Sequence, residues 1–140
     1  MESGFTLDSV VPTLRVTSLD RSLPFYERLG FTVAWVHQLG EGQPRLAAVR
    51  QGAVQLFLTE HAVAPPGAVV YSNTRGVDAL HAAAAARDLR SVFGPEDRPW
   101  GQREVYFQDP DGNVLRFGEP MADGSQAIPP GEPWRAASSA

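Results

Sequence analysis

The chain contains no cysteine. Disulfides, thiolate metal sites and cysteine nucleophiles are therefore excluded, and the composition fits a reducing cytoplasm. Long apolar runs are missing too: no segment approaches the ~20 residues needed to cross a bilayer, so no membrane partner is expected. Basic charge is in deficit, with 12 Lys plus Arg against 16 Asp plus Glu and a net charge of −4. A nucleic-acid partner would favour a basic stripe, so none is expected. The opening MESGFTLDSVVP has no Lys or Arg and no apolar stretch, unlike a secretory leader. Histidine is sparse, and His37, His61 and His81 share no spacing. Each reads as a surface or packed residue, and no Ser-His-Asp or Cys-His arrangement is legible.

What is present is the makings of one domain. A chain of 140 residues buries roughly 68–70% of its extended surface on folding, enough for a core without staples. SVVPTLRV, residues 9–16, reads as a strand with Val11, Thr13 and Arg15 on one side and Leu14 and Val16 on the other. Pro12 cannot donate to a ladder and places that strand at an edge. SLDRSLPFYERLGF reads as a helix capped by Ser18 and ended by Gly30, with Pro24 tolerable only in its first turns. FTVAWVHQ, PRLAAVRQ and AVQLFLTE form a meander that turns at Gln51-Gly52, and HAVAPPG, 61–67, is a linker.

The order then repeats. GAVVYSNT is a strand and GVDALHAAAAARDL a helix, whose run Ala82 to Ala86 is simply high helix propensity. RSVF, 90–93, is a short strand and GPEDRPWG a loop. REVYFQ and NVLRFGE form a hairpin across the Asp109–Asn113 turn. Ser18 and Gly76 open the two helices, and Gly52 and Gly112 turn the two hairpins, at nearly constant offset. The expectation is a single domain over 1–120, with modules at about 9–60 and 67–119. Residues 121–140 lose periodicity and read as a flexible tail carrying Trp134.

VPTLRVTSLDRSLPFYERLGF and PWGQREVYFQDPDGNVLRFGE resemble the start and end of proteins of the glyoxalase, bleomycin-resistance and extradiol-dioxygenase superfamily. The resemblance implies an α+β fold of two βαβββ modules forming a cupped, mixed or antiparallel sheet. Enzymes of that superfamily hold a divalent metal at four positions on the first and last strands of each module. Those positions fall here on Val11, Phe57, Val69 and Arg116, none of which offers a lone pair to a cation. A slip of one residue reaches only Val10, Pro12, Leu56, Leu58, Ala68, Val70, Leu115 and Phe117. No metal and no cofactor are therefore expected. The resemblance runs to the metal-free bleomycin-resistance-type proteins, dimers that sequester an antibiotic without changing it, and it implies a homodimer.

Strand alternation names the side chains that would line the cup. Trp35, Phe57, Tyr71, Trp100 and Tyr106 offer flat faces; His37, Gln55, Asn73, Glu104, Gln108 and Arg116 offer donors and acceptors. Glu104 would pair with a ligand cation, or be neutralised by Arg116 across the hairpin. The leading reading is a small-molecule binder that confers resistance to bleomycin or another aromatic antibiotic, with an aromatic metabolite as the other ligand class. An alternative is a lyase or dioxygenase-type enzyme, metal-dependent or using Glu104 and Tyr106 as acid and base. A third is a sensor domain whose tail docks elsewhere.

Overall fold

The computed structural model describes residues 4–121 and 134–137. The first module runs β1 (Thr13–Arg15), α1 (Leu19–Arg28), β2 (Thr32–Gln38), β3 (Arg45–Gln51) and β4 (Val54–Thr59). The second runs β5 (Val69–Asn73), α2 (Val77–Ala86), β6 (Phe93–Asp97), β7 (Gln102–Gln108) and β8 (Val114–Pro120). Each module builds a four-stranded sheet, in the orders β1-β4-β3-β2 and β5-β8-β7-β6. In both, the first strand pairs parallel with the last and the other pairings are antiparallel. This is the expected duplicated βαβββ layout. No helix among the described residues is long and apolar enough to cross a membrane.

Local chemistry explains the elements. Pro12 lies just before β1 and offers only its carbonyl, which accepts the Phe57 amide at 2.9 Å. Regular pairing therefore starts at Thr13, and the strand expected over 9–16 shrinks to three residues. Ser18 caps α1 in an extended conformation without a side-chain bond. The orphan amide of Leu19 instead donates to Glu60 at 2.8 Å. At α2, Gly76 and Val77 donate to Glu119, each at 2.9 Å. Both modules thus cap their helix with a glutamate at the end of the last strand, where its charge also suits the helix N-terminus. Pro24 costs α1 one hydrogen bond, and burial of Leu19, Phe25 and Tyr26 along one face holds the helix through it.

One strand lies elsewhere than expected. The segment 90–93 gives way to β6 at Phe93–Asp97, inside what reads as a loop. Phe93 pairs with Tyr106 and Glu96 with Glu104, so Gly94-Pro95 forms a bulge. Gly94 has φ +74, and a Cβ there would collide with the Glu104 carbonyl. A similar irregularity in β2 lies between Val33 and Trp35, which pair with Val49 and Ala48. It sends Val33 to the core and Trp35 to the opposite face.

The Asp109–Asn113 turn joins the modules. Tyr26 donates its hydroxyl to Asp109 at 2.8 Å, and the Thr17 amide and hydroxyl donate to Asp111 at 3.1 and 2.7 Å. Asn113 reaches the Arg15 carbonyl at 2.9 Å. Burial, then the Asp109 carboxylate, push the Tyr26 phenol well above its ordinary range. Leu14, Tyr26, Leu58, Val77, Phe107 and Leu115 belong to one hydrophobic cluster drawn from both modules. Of the tail expected over 121–140, residues 122–133 and 138–140 lie outside the described residues, and Trp134 is exposed.

Candidate functional site

Each sheet packs its helix on one face and presents the other outward. On the second sheet, register places Phe93, Tyr106, Arg116 and Tyr71 in one row across β6, β7, β8 and β5. Glu104, Gly118 and Asn73 form the next row. Gly118 is where a large side chain is missing for a reason: the Tyr71 hydroxyl lies over it, and a Cβ there would collide with that oxygen.

Glu104 is the centre of the arrangement. It is a buried carboxylate with 0% exposure on an otherwise accessible face. Its Oε2 accepts the Tyr71 hydroxyl and the Trp100 Nε1–H, both at 2.9 Å. Its Oε1 accepts the Tyr106 hydroxyl at 2.7 Å and Arg116 Nη2 at 3.0 Å. Four donors match the roughly four acceptor positions a carboxylate possesses, so the group is saturated. The guanidinium of Arg116 lies 4.6 Å from the Tyr106 ring centre and 5.3 Å from that of Tyr71. Arg98 repeats the theme, 4.9 Å from Phe93 and 4.6 Å from Trp100. Phe93 and Tyr106 stack at 4.7 Å. The Nε atoms of Arg98 and Arg116 are buried without a hydrogen-bond partner.

The electrostatics follow. Burial alone would raise the Glu104 pKa, but donation from Tyr106, Trp100, Arg116 and Tyr71 outweighs it and holds the carboxyl below its usual range. Burial and the Glu104 carboxylate push Tyr71 up to about 12 and raise Tyr106 as well. Carboxylate and phenols are thus displaced in opposite directions, away from neutrality.

The first sheet carries a different surface. Trp35 packs on Phe57 with ring centres 5.5 Å apart, over Ala48 and beside Thr13 in the same row. Trp35 is 40% exposed. His37 and Gln55 flank this ledge on β2 and β4 and are exposed and half-buried.

Of the eleven lining residues expected, the structure brings Tyr71, Trp100, Glu104, Tyr106 and Arg116 into one network and pairs Trp35 with Phe57. Gln108 stands exposed at the edge, opposite Val114. Asn73 lines a separate cleft at the module boundary. Glu104 takes the second of its two expected roles, neutralised by Arg116 rather than left open to a cation. Phe93 and Arg98 were absent from the expected lining because they sit in and beside the bulged strand; the aromatic-flanked arginine in FGPEDRPW is the signal that marks them.

The metal that the fold family uses does not fit these residues. Thr13 faces Phe57 and Tyr71 faces Arg116 across the parallel strand pairs, and Val11 and Val69 precede them. None is a histidine or carboxylate, and the neighbouring Glu104 is committed to a guanidinium. Among the described residues no group of three or more His, Cys, Asp or Glu could hold an ion.

A duplicated βαβββ unit whose first strand pairs parallel with its last is the glyoxalase type of fold. The chain belongs to the glyoxalase superfamily, whose family model matches residues 2–124. It is similar to TnmS3, an antibiotic binding protein from Streptomyces sp. CB03234, at 29% identity over 84% of this chain and 100% of that one, with a TM-score of 0.65. The fold is shared with a bleomycin-binding protein complexed with bleomycin, at 22% identity over 81% of this chain and 98% of that one, TM-score 0.65. It is shared also with TioX from Micromonospora sp. ML1, at 21% identity over 81% and 99% of the two chains, TM-score 0.68. No curated protein matches the sequence.

Proposed function

We propose that this protein is a metal-free binding protein that sequesters a planar aromatic antibiotic and releases it unchanged, and so confers resistance. The observation that carries the proposal is the saturated Glu104. A general base needs a free lone pair and a pKa near the working pH, and Glu104 has neither. Its four bonds instead hold Tyr71, Trp100, Tyr106 and Arg116 in fixed orientations, a preorganised wall on which a flat ligand stacks. The same displacement of Glu104 and Tyr106 from neutrality weighs against the acid/base enzyme.

The wall also narrows the ligand class. Its carboxylate is neutralised by Arg116, and the Arg98 guanidinium lies over Phe93 and Trp100, so the wall carries no uncompensated negative charge. It suits a neutral or acceptor-bearing aromatic, such as a carbonyl-rich ring system, better than a cationic glycopeptide. The aromatic wall and the Trp35–Phe57 ledge face outward on different sheets. In a homodimer, the wall of one chain would meet the ledge of the other and enclose one ligand per chain.

Titration with bleomycin-type and other aromatic antibiotics, followed by tryptophan fluorescence, tests the proposal. Binding below about 1 μM, with the compound recovered unchanged by chromatography, supports it. Chemical conversion of the ligand, or no binding by any aromatic antibiotic in that range, overturns it.

A further inference from the structure

On the other side of β8 from Arg116 lies a second concavity, of about 540 Å3, between the end of α1 and the start of α2. Its volume falls in the range of small-molecule sites. Phe31, Leu80 and Phe117 contribute apolar surface from the two modules, and Arg28, Arg75 and Arg87 stand around it on α1, before α2 and after α2. The lining contains no Asp or Glu. Arg45, Arg98, Arg103 and Arg116 each face a carboxylate, whereas Arg28, Arg75 and Arg87 form no ion pair among the described residues. Arg87 is fixed across the module boundary by a 3.2 Å bond to the Glu27 carbonyl. The first amides of α2 are already taken by Glu119, so the positive character here comes from the guanidinium groups.

In a chain of net charge −4, three arginines without carboxylates beside an apolar floor make a local inversion of the field. We infer that this inter-module cleft binds a small organic anion, a carboxylate or phosphate ester with an apolar body, at a site separate from the aromatic wall. The anionic head meets Arg28 and Arg75 at the exposed mouth, and the apolar body covers Phe31, Leu80 and Phe117. Such a ligand bridges the modules, because its contacts come from both.

The test is a titration of the full chain with octanoate, phenyl phosphate, inorganic phosphate and octanol, read by amide chemical shifts. Saturable shifts at Gly30, Gly76 and Ala83 with octanoate or phenyl phosphate, and binding of octanol weaker by about tenfold or more, support the inference; whichever anion binds assigns the head group. Arg28→Gln with Arg75→Gln should weaken the anion by about tenfold, while thermal unfolding shows the fold intact, since both side chains are exposed. The inference is overturned by no saturable shift up to ~10 mM, by octanol binding equally, by inorganic phosphate matching phenyl phosphate, by affinity untouched in the double variant, or by shifts confined to the Trp35 and Trp100 indoles. Antibiotic capture is read separately, at those indoles, so failure of that reading and failure of this inference are distinguishable.

Discussion

The two modules share a strand order, a capping glutamate and a register, yet their outward faces have diverged. Superposing the ladders aligns Phe57 with Arg116, Ala48 with Tyr106, Trp35 with Phe93 and Thr13 with Tyr71. In the next row Leu46, opposite Thr59, corresponds to Glu104, opposite Gly118. The first module therefore offers an aromatic ledge with nothing ionised in its middle, and the second an aromatic box tied to a buried charge. The same backbone serves both because the outward face is not what holds a module together; the helix-facing residues do that. Chemistry on that face can therefore differ, and in the second module the differing residues act as a set. A buried Glu without its donors would be costly, as would Arg116 without its carboxylate.

The sharpest way to break this comparison is Glu104→Leu, which gives the second module the residue found in the first. If the carboxylate organises the wall, the variant loses about 1–3 kcal/mol of stability as Tyr71, Trp100 and Tyr106 lose their acceptor. It also loses antibiotic binding, measured by denaturant unfolding and fluorescence titration. A variant as stable as the parent would mean the two faces are interchangeable. Acid pH probes the modules differently. Donation from Arg45 is the largest influence on Glu60, and it holds the folded carboxyl at about 2, below its ordinary 4.5. The folded state thus binds fewer protons than the unfolded one, and this contribution is complete above about pH 4.5 and fades as pH falls toward 2. Unfolding across that window should show a loss of roughly 2–3 kcal/mol that Glu60→Gln largely removes. An unchanged slope in the variant would place the acid sensitivity at the other depressed carboxyls, Glu104 and Asp78.

Gly118→Ala is a finer instrument. The new methyl collides with the Tyr71 hydroxyl, so Tyr71 leaves Glu104 and the wall opens. Overpacking of this kind costs about 1–3 kcal/mol, and ligand affinity should fall more than stability does. Thr59, the equivalent residue of the first module, is predicted to tolerate Ala with no effect on Trp35 stacking, checked by near-ultraviolet circular dichroism.

The duplicated fold was legible because period-two strands, a helix start and a glycine turn recur at matched positions, and each signal is local. Alternation also placed Tyr106, Glu104 and Arg116 on one face correctly. Two things were not legible. The strand through Gly94-Pro95 violates the rule that Gly and Pro punctuate strands, and only its pairing with β7 reveals it. The partnership of Glu104 with Trp100 and Tyr71 depends on a loop contact and on register across β5, β8 and β7, which alternation cannot supply. A charge in a strand reads as a ligand contact until its partners are known. The same holds for Asp109 and Asp111, which look like a hairpin turn in sequence and prove to be the joint between modules.

That joint is the subject of the smallest effect. The two ends of the module boundary differ: the Asp109–Asn113 turn fills one against α1, while the other, beside α2, remains an arginine-rimmed cleft. Tyr26→Phe removes one bond from the filled end. Asp109 keeps the Asn113 side chain at 2.8 Å and two backbone amides, so it is not stranded. The expected loss is about 1 kcal/mol, with the denaturant slope unchanged if the modules unfold as one unit. A shallower slope would mean that one hydroxyl suffices to uncouple them and that the filled end, rather than the shared core, is what keeps the duplicated halves together.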